Sequence, residues 1–142
     1  MAPQTYVASQ SQIKRKALTG RLLHAAKRGD CDYAKTLLRR GADPNGKNKF
    51  GFAPLMKAVE SDNPDVIRLL LENGADPNQK DNTSFGRPAL IWALFWCQIN
   101  AAKALIENEG TNLKIQDNEG YTPLTMAMEI ESKTIIALLR RK

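Results

Sequence analysis

Histidine occurs once in this chain of 142 residues, as His24, and cysteine twice, as Cys31 and Cys97. A structural zinc site takes four such ligands at set spacings, and scattered residues of this kind cannot form one. His24 stands in a helical stretch ahead of Cys31, with no acidic residue near it in sequence. A nucleophile needs a neighbouring base and a group that orients that base, so a packed helix histidine is the simpler reading. The sequence also has no glycine-rich phosphate loop, no G-x-S-x-G and no H-E-x-x-H, and thus no residue set that would carry catalysis, a cofactor or a metal. Two cysteines without a pairing pattern exclude a disulfide framework and suit a reducing compartment. The longest apolar run falls well short of the roughly 18 residues needed to cross a bilayer, and the start lacks the charged-then-apolar pattern of a secretory leader.

Hydrophobic residues form 42% of the chain and charged residues 25%, the balance of a globular domain that buries its own core. The net charge of +6 is unevenly placed. Lys and Arg exceed Asp and Glu by three over residues 1–20 and by four over 21–48, trail by one over 49–80, and balance over 81–116 and 117–142. Residues 1–18 are acid-free and carry Lys14-Arg15-Lys16. They are expected to form a flexible basic tail, with a transit peptide or short nuclear signal as the alternative. The basic end would steer an acidic partner. A second reading is a nucleic-acid or acidic-surface binder acting through Lys14 to Lys16, Arg21, Lys27-Arg28 and Arg39-Arg40. Only Tyr33 supplies an aromatic ring in that cluster, and no DNA- or RNA-reading motif accompanies it.

Self-similarity organises the rest of the chain. LLRRGADPN, ending at Asn45, and LLENGADPN, ending at Asn78, match at seven of nine positions and stand 33 residues apart. A weaker copy runs from Leu105-Ile106 to Thr111-Asn112, with one added residue. Gly51-Phe52-Ala53-Pro54-Leu55 with Ala58 recurs as Gly120-Tyr121-Thr122-Pro123-Leu124 with Ala127. Gly86-Arg87-Pro88-Ala89-Leu90 with Ala93 falls between them if the preceding loop has gained two residues. Pro54 and Asn63-Pro64 are helix-start signals. Gly41 and Gly74 are placed to stop helices in the left-handed conformation, and Asp43-Pro44-Asn45 and Asp76-Pro77-Asn78 lead into turns.

The period, the G-A-D-x-N endings, the x-P-L starts and the paired leucines before glycine resemble the ankyrin repeat, over about residues 19–142. The resemblance implies an all-α solenoid of four helix-turn-helix units, over about 19–47, 48–80, 81–116 and 117–142, with short β-hairpin fingers near 43–52, 76–87 and 112–121. It implies a monomeric, non-enzymatic module that binds another protein through a concave groove and the fingers, as an inhibitor or adaptor. The expected compartment is the cytoplasm, with the nucleus or delivery into a host cell left open. The usual T-P-L-H start is incomplete in every copy and its histidine is absent throughout. Both ends read as polar caps.

The third unit departs from this pattern. In Pro88 to Trp96, PALIWALFW, the residues Leu90, Ala93 and Leu94 match the inward places, while Trp92, Phe95 and Trp96 share that spacing about 200° around the helix. Trp92 is expected to pack in the core between helices. Phe95 and Trp96 align with Lys27-Arg28, Glu60-Ser61 and Glu129-Ile130, places that by resemblance line the groove. Phe50, Phe52, Phe85 and Tyr121 fall on the fingers. The expected partner-binding set is therefore Lys27, Arg28, Phe50, Phe52, Glu60, Phe85, Phe95, Trp96, Tyr121, Glu129 and Ile130, with aromatic anchors beside a basic first repeat.

Overall fold

A computed structural model describes residues 4–142, with side chains from Gln10 onward. It contains eight helices among those residues: α1 (Gln4–Arg28), α2 (Cys31–Arg39), α3 (Pro54–Val59), α4 (Pro64–Glu72), α5 (Ala89–Phe95), α6 (Ile99–Glu107), α7 (Pro123–Glu129) and α8 (Lys133–Arg141). Consecutive helices pair within a unit. Each also packs on its equivalent in the next unit, giving an inner layer of α1, α3, α5 and α7 and an outer layer of α2, α4, α6 and α8.

The helix starts follow the sequence signals. Asp30, Asn63 and Ser132 cap α2, α4 and α8 with side-chain oxygens, and Pro54, Pro64 and Pro123 occupy first-turn positions. Thr122 and Thr125 form a reciprocal capping box on α7. Ala53 and Pro88, which stand where threonine would, give α3 and α5 no side-chain cap, and each such loss costs about 1 kcal/mol. At the turn inside each unit the backbone enters the left-handed region, at Gly29, Asp62, Cys97 and Glu131. Gly41 and Gly74 stop α2 and α4 with positive φ. The added residue in the third unit changes that stop, because Asn108 is extended and Gly110 is not left-handed.

A continuous core runs between the layers, with Leu22, Leu37, Leu55, Ile67, Leu70, Leu90, Leu94, Leu105 and Ile135 fully buried. The inward places Leu55, Ala58 and Val59 of α3 and Leu90, Ala93 and Leu94 of α5 are all in it.

Two expectations differ from the structure. The basic segment before residue 19 continues α1 as helix from Gln4, because Ala, Lys, Arg and Gln propagate a helix and no proline interrupts them. Among the described side chains packing begins at Leu18 and Thr19, and residues 10–17 are exposed. The fingers form no strand among the described residues. They are turns closed at the base by Asn48 N to Phe52 O, Asp81 N to Arg87 O and Asp117 N to Tyr121 O, each with one further backbone bond inside the loop, and the wider middle turn contains the two inserted residues. Side chains take over what a ladder would supply. Asn48 and Asp117 each accept two backbone N–H groups of their own loops.

Neighbouring units are tied by a repeated asparagine bridge. Asn45 donates to Gly74 O and accepts from Asp76 N, and Asn78 does the same with Gly110 and Asn112. Fingers also touch directly, since Asn82 N donates to Phe50 O and Asn118 N to Phe85 O. At Gly51 (φ 80°) a side chain would place its Cβ 2.5 Å from Asn82 N.

Candidate functional site

Trp92 is buried, as expected. It lies at the inner corner where the fingers meet α5, roofed by four aromatic rings. Phe52, Phe85 and Phe95 approach edge-on at 6.1, 6.1 and 5.9 Å between centroids, and Trp96 stacks on it at 4.8 Å. Phe50 extends the cluster through Phe52. Phe95 and Trp96 remain 47% and 41% exposed, and Phe50 and Phe85 are also open to solvent. Edge-to-face and offset stacked pairs are the favoured arrangements of ring quadrupoles, worth about 0.5–1.5 kcal/mol each beyond burial. The cluster is therefore pre-formed and rigid while presenting wide ring surfaces.

Arg87 closes the cluster from the finger side. It occupies the finger place held by Phe52 and Tyr121 in the neighbouring units, and its guanidinium lies over Phe85, Trp92 and Phe95 at 4.5, 4.9 and 4.4 Å. The group is buried, so its charge requires partners. Nε donates to Asp117 Oδ2 at 3.1 Å and Nη2 to Glu119 Oε1 at 2.9 Å. Asp81 completes the arrangement. Its Oδ2 accepts from Trp92 Nε1 and from the Arg87 backbone N–H, and its Oδ1 from Thr83.

The Trp92–Phe95–Trp96 ridge separates two recesses. One, of about 220 Å³, is lined by Phe52, Met56, Lys57, Glu60, Trp92 and Trp96, and its charges are matched by the Lys57–Glu60 ion pair at 3.0 Å. The other, of about 430 Å³, lies between the third and fourth units, with Tyr121, Met126, Glu129 and Ile130 facing Phe85, Arg87 and Phe95. A third hollow, of about 270 Å³, on the outer layer between α4 and α6, is rimmed by Arg68, Glu72 and Glu107 and has no aromatic ring.

These features sit on an identifiable repeat. The pattern of ankyrin repeats, in three copies, matches residues 22–117. The chain belongs to the ankyrin-repeat family. No curated protein matches this sequence. Ankyrin repeats are generally protein–protein interaction modules, and the face bearing the aromatic cluster is the inner-layer face of this ankyrin stack.

Of the candidate residues, the structure brings Phe50, Phe52, Glu60, Phe85, Phe95, Trp96, Tyr121, Glu129 and Ile130 to the ridge or its flanking recesses. Lys27 and Arg28 are exposed at the end of α1, in the first repeat, outside both recesses. Sequence reasoning missed Arg87 and Asp81, and it did not bring Trp92 against the finger residues Phe52, Phe85 and Asp81. A signal was present. Arg87 stands alone among aromatic finger residues, in the repeat that carries the two-residue insertion and the aromatic helix.

Neither cysteine lines either recess. Cys31 is half-buried, and burial pushes its thiol up, with Asp65, Asp32 and Asp30 adding to the effect and Lys35 opposing it. Cys97 is exposed, in the left-handed turn after Trp96. Among the described residues no His, Cys, Asp and Glu group has the spacing of a metal site, and no helix is long and apolar enough to cross a membrane.

Proposed function

We propose that this ankyrin protein is a non-enzymatic module that recognises a protein partner through the groove between its fingers and inner helices, with Phe95 and Trp96 as anchors. The observation that carries this reading is the pair of half-exposed rings seated on a buried, hydrogen-bonded Trp92. Rigid, half-desolvated aromatics are the residue class that dominates binding energy at protein interfaces, and holding them in place beforehand lowers the ordering cost of association. Phe52, Phe85 and Tyr121 enlarge the contact. Lys27 and Arg28 lie at the basic end of the stack and would accelerate encounter with an acidic region of the partner. Action as an inhibitor or an adaptor, as a monomer, fits a preorganised surface of this kind.

The test is affinity capture from cells of the source organism, with the wild-type chain and the Phe95→Ala/Trp96→Ala variant compared side by side. A partner retained by the first and weakened by about 2–4 kcal/mol in the second supports the reading. Equal capture by both, from a variant that remains folded, overturns it.

A further inference from the structure

We propose that the 430 Å³ recess between the third and fourth repeats receives an arginine or lysine side chain from the partner. This deepens the groove reading and rests on it. The argument is one of charge and ring chemistry. Arg87 is the cation in the lining, and its charge is matched behind the wall by Asp117, whose side chain is fully buried. Glu119 and Glu129 are then in excess. Glu119 bonds Arg87 through one oxygen and is nearly half exposed, and Glu129 is exposed with no ion pair among the described residues. Both carboxylates stand beside Phe85, Phe95, Tyr121, Met126 and Ile130, an apolar and aromatic lining.

A site that combines ring surface with unmatched negative charge suits a long aliphatic stem that ends in a cation. The stem covers the apolar wall, and the head meets the carboxylates in charge-assisted hydrogen bonds. The smaller recess on the other side of the ridge, where Lys57 and Glu60 neutralise each other, has no such preference. The groove is therefore polarised, basic at Lys27-Arg28 and acidic at Glu119 and Glu129, and this would fix the direction in which a partner segment lies along it.

The probes are three capped tripeptides, acetyl-Leu-Arg-Leu-amide, its citrulline analogue, in which a neutral urea replaces the guanidinium, and its glutamate analogue. Binding is read from indole fluorescence, since Trp92 and Trp96 are the only tryptophans, and from backbone amide NMR shifts over residues 117–130. The arginine peptide is expected to bind about tenfold more tightly than the citrulline peptide, and the glutamate peptide more weakly still. Glu129→Gln, at an exposed position, should lower affinity for the arginine peptide several-fold and leave the citrulline peptide unchanged. Arginine and citrulline peptides of equal affinity overturn the cation site while leaving the aromatic groove standing. No response to any of the three at millimolar concentration also overturns it, and the groove itself is then judged by the Phe95→Ala/Trp96→Ala capture comparison.

Discussion

The indole nitrogen of Trp92 donates to Asp81 Oδ2 at 2.6 Å, and this bond fixes the face that the ring turns to the groove. Asp81 opens the finger that has two more residues than its neighbours, and the added chain lets its carboxylate serve the indole, the Arg87 backbone and Thr83 together. An insertion in a loop thus determines the orientation of a helix residue eleven positions away.

Trp92→Phe should keep most of the packing and lose this bond, leaving Asp81 short of a donor in a buried setting. The expected loss of stability is about 1–3 kcal/mol, against about 3–5 kcal/mol for Trp92→Ala, which also opens a cavity. Urea denaturation midpoints would measure both.

Arg87→Ala is expected to destabilise the stack by about 3–5 kcal/mol, because it strands Asp117 as a buried, unpaired carboxylate and uncovers three rings. Pairing Arg87→Met with Asp117→Asn removes both charges and keeps the volume, so the double variant should recover a large part of the loss. A double-mutant cycle from thermal melts gives the coupling.

Gly51→Ala should cost more than Gly120→Ala, although both glycines have positive φ. Alanine at 120 meets nothing within 4 Å and incurs only the backbone conformation, about 1 kcal/mol. Alanine at 51 also drives a methyl group into Asn82, so the second and third fingers must separate. Hydrogen exchange at Asn82 N–H, which bonds Phe50 O, would report that separation directly.

Lys27→Glu with Arg28→Glu should slow association with the partner and weaken its salt dependence while leaving the melting temperature near that of the parent, since rim charges act mainly on encounter. Stopped-flow titrations over a range of ionic strength test this. Complete loss of binding at every salt concentration would make the basic repeat the main site.

The two thiols should separate in reactivity. Thiolate is the reacting form, and the raised pKa of Cys31 keeps that side chain protonated to higher pH. Labelling with a disulfide reagent at mildly alkaline pH should modify exposed Cys97 first, and the Cys31 phase should accelerate as the pH is raised further.

The helix pairs, the starts of α3 and α4, the stops of α2 and α4, and the buried faces of α3 and α5 were legible because they depend on local chemistry. Proline, capping residues, left-handed glycines and apolar spacing act within one repeat. The exposure of Phe95 and Trp96 followed from the same geometry, since Leu90, Ala93 and Leu94 already fill the inward face. The environment of Trp92 was not legible, because Phe52 and Phe85 reach it from fingers and no periodicity relates a finger ring to a helix ring. Arg87 was missed for a related reason, as its partners Asp117 and Glu119 lie about one repeat later in the chain. The helical state of the basic segment was not legible because its polarity gives no buried face, although helix propensity carries α1 through it.

The stacked indoles have an optical consequence. With ring centroids 4.8 Å apart and planes inclined by 27°, the excited states of Trp92 and Trp96 are coupled, and the pair contributes its own bands to circular dichroism. In a chain this short they overlap the helical minima, so helix content taken from the amplitude alone will be distorted. The same overlap makes Trp96→Phe, which separates the chromophores while keeping a ring in place, a spectroscopic subtraction that isolates the groove from the rest of the protein.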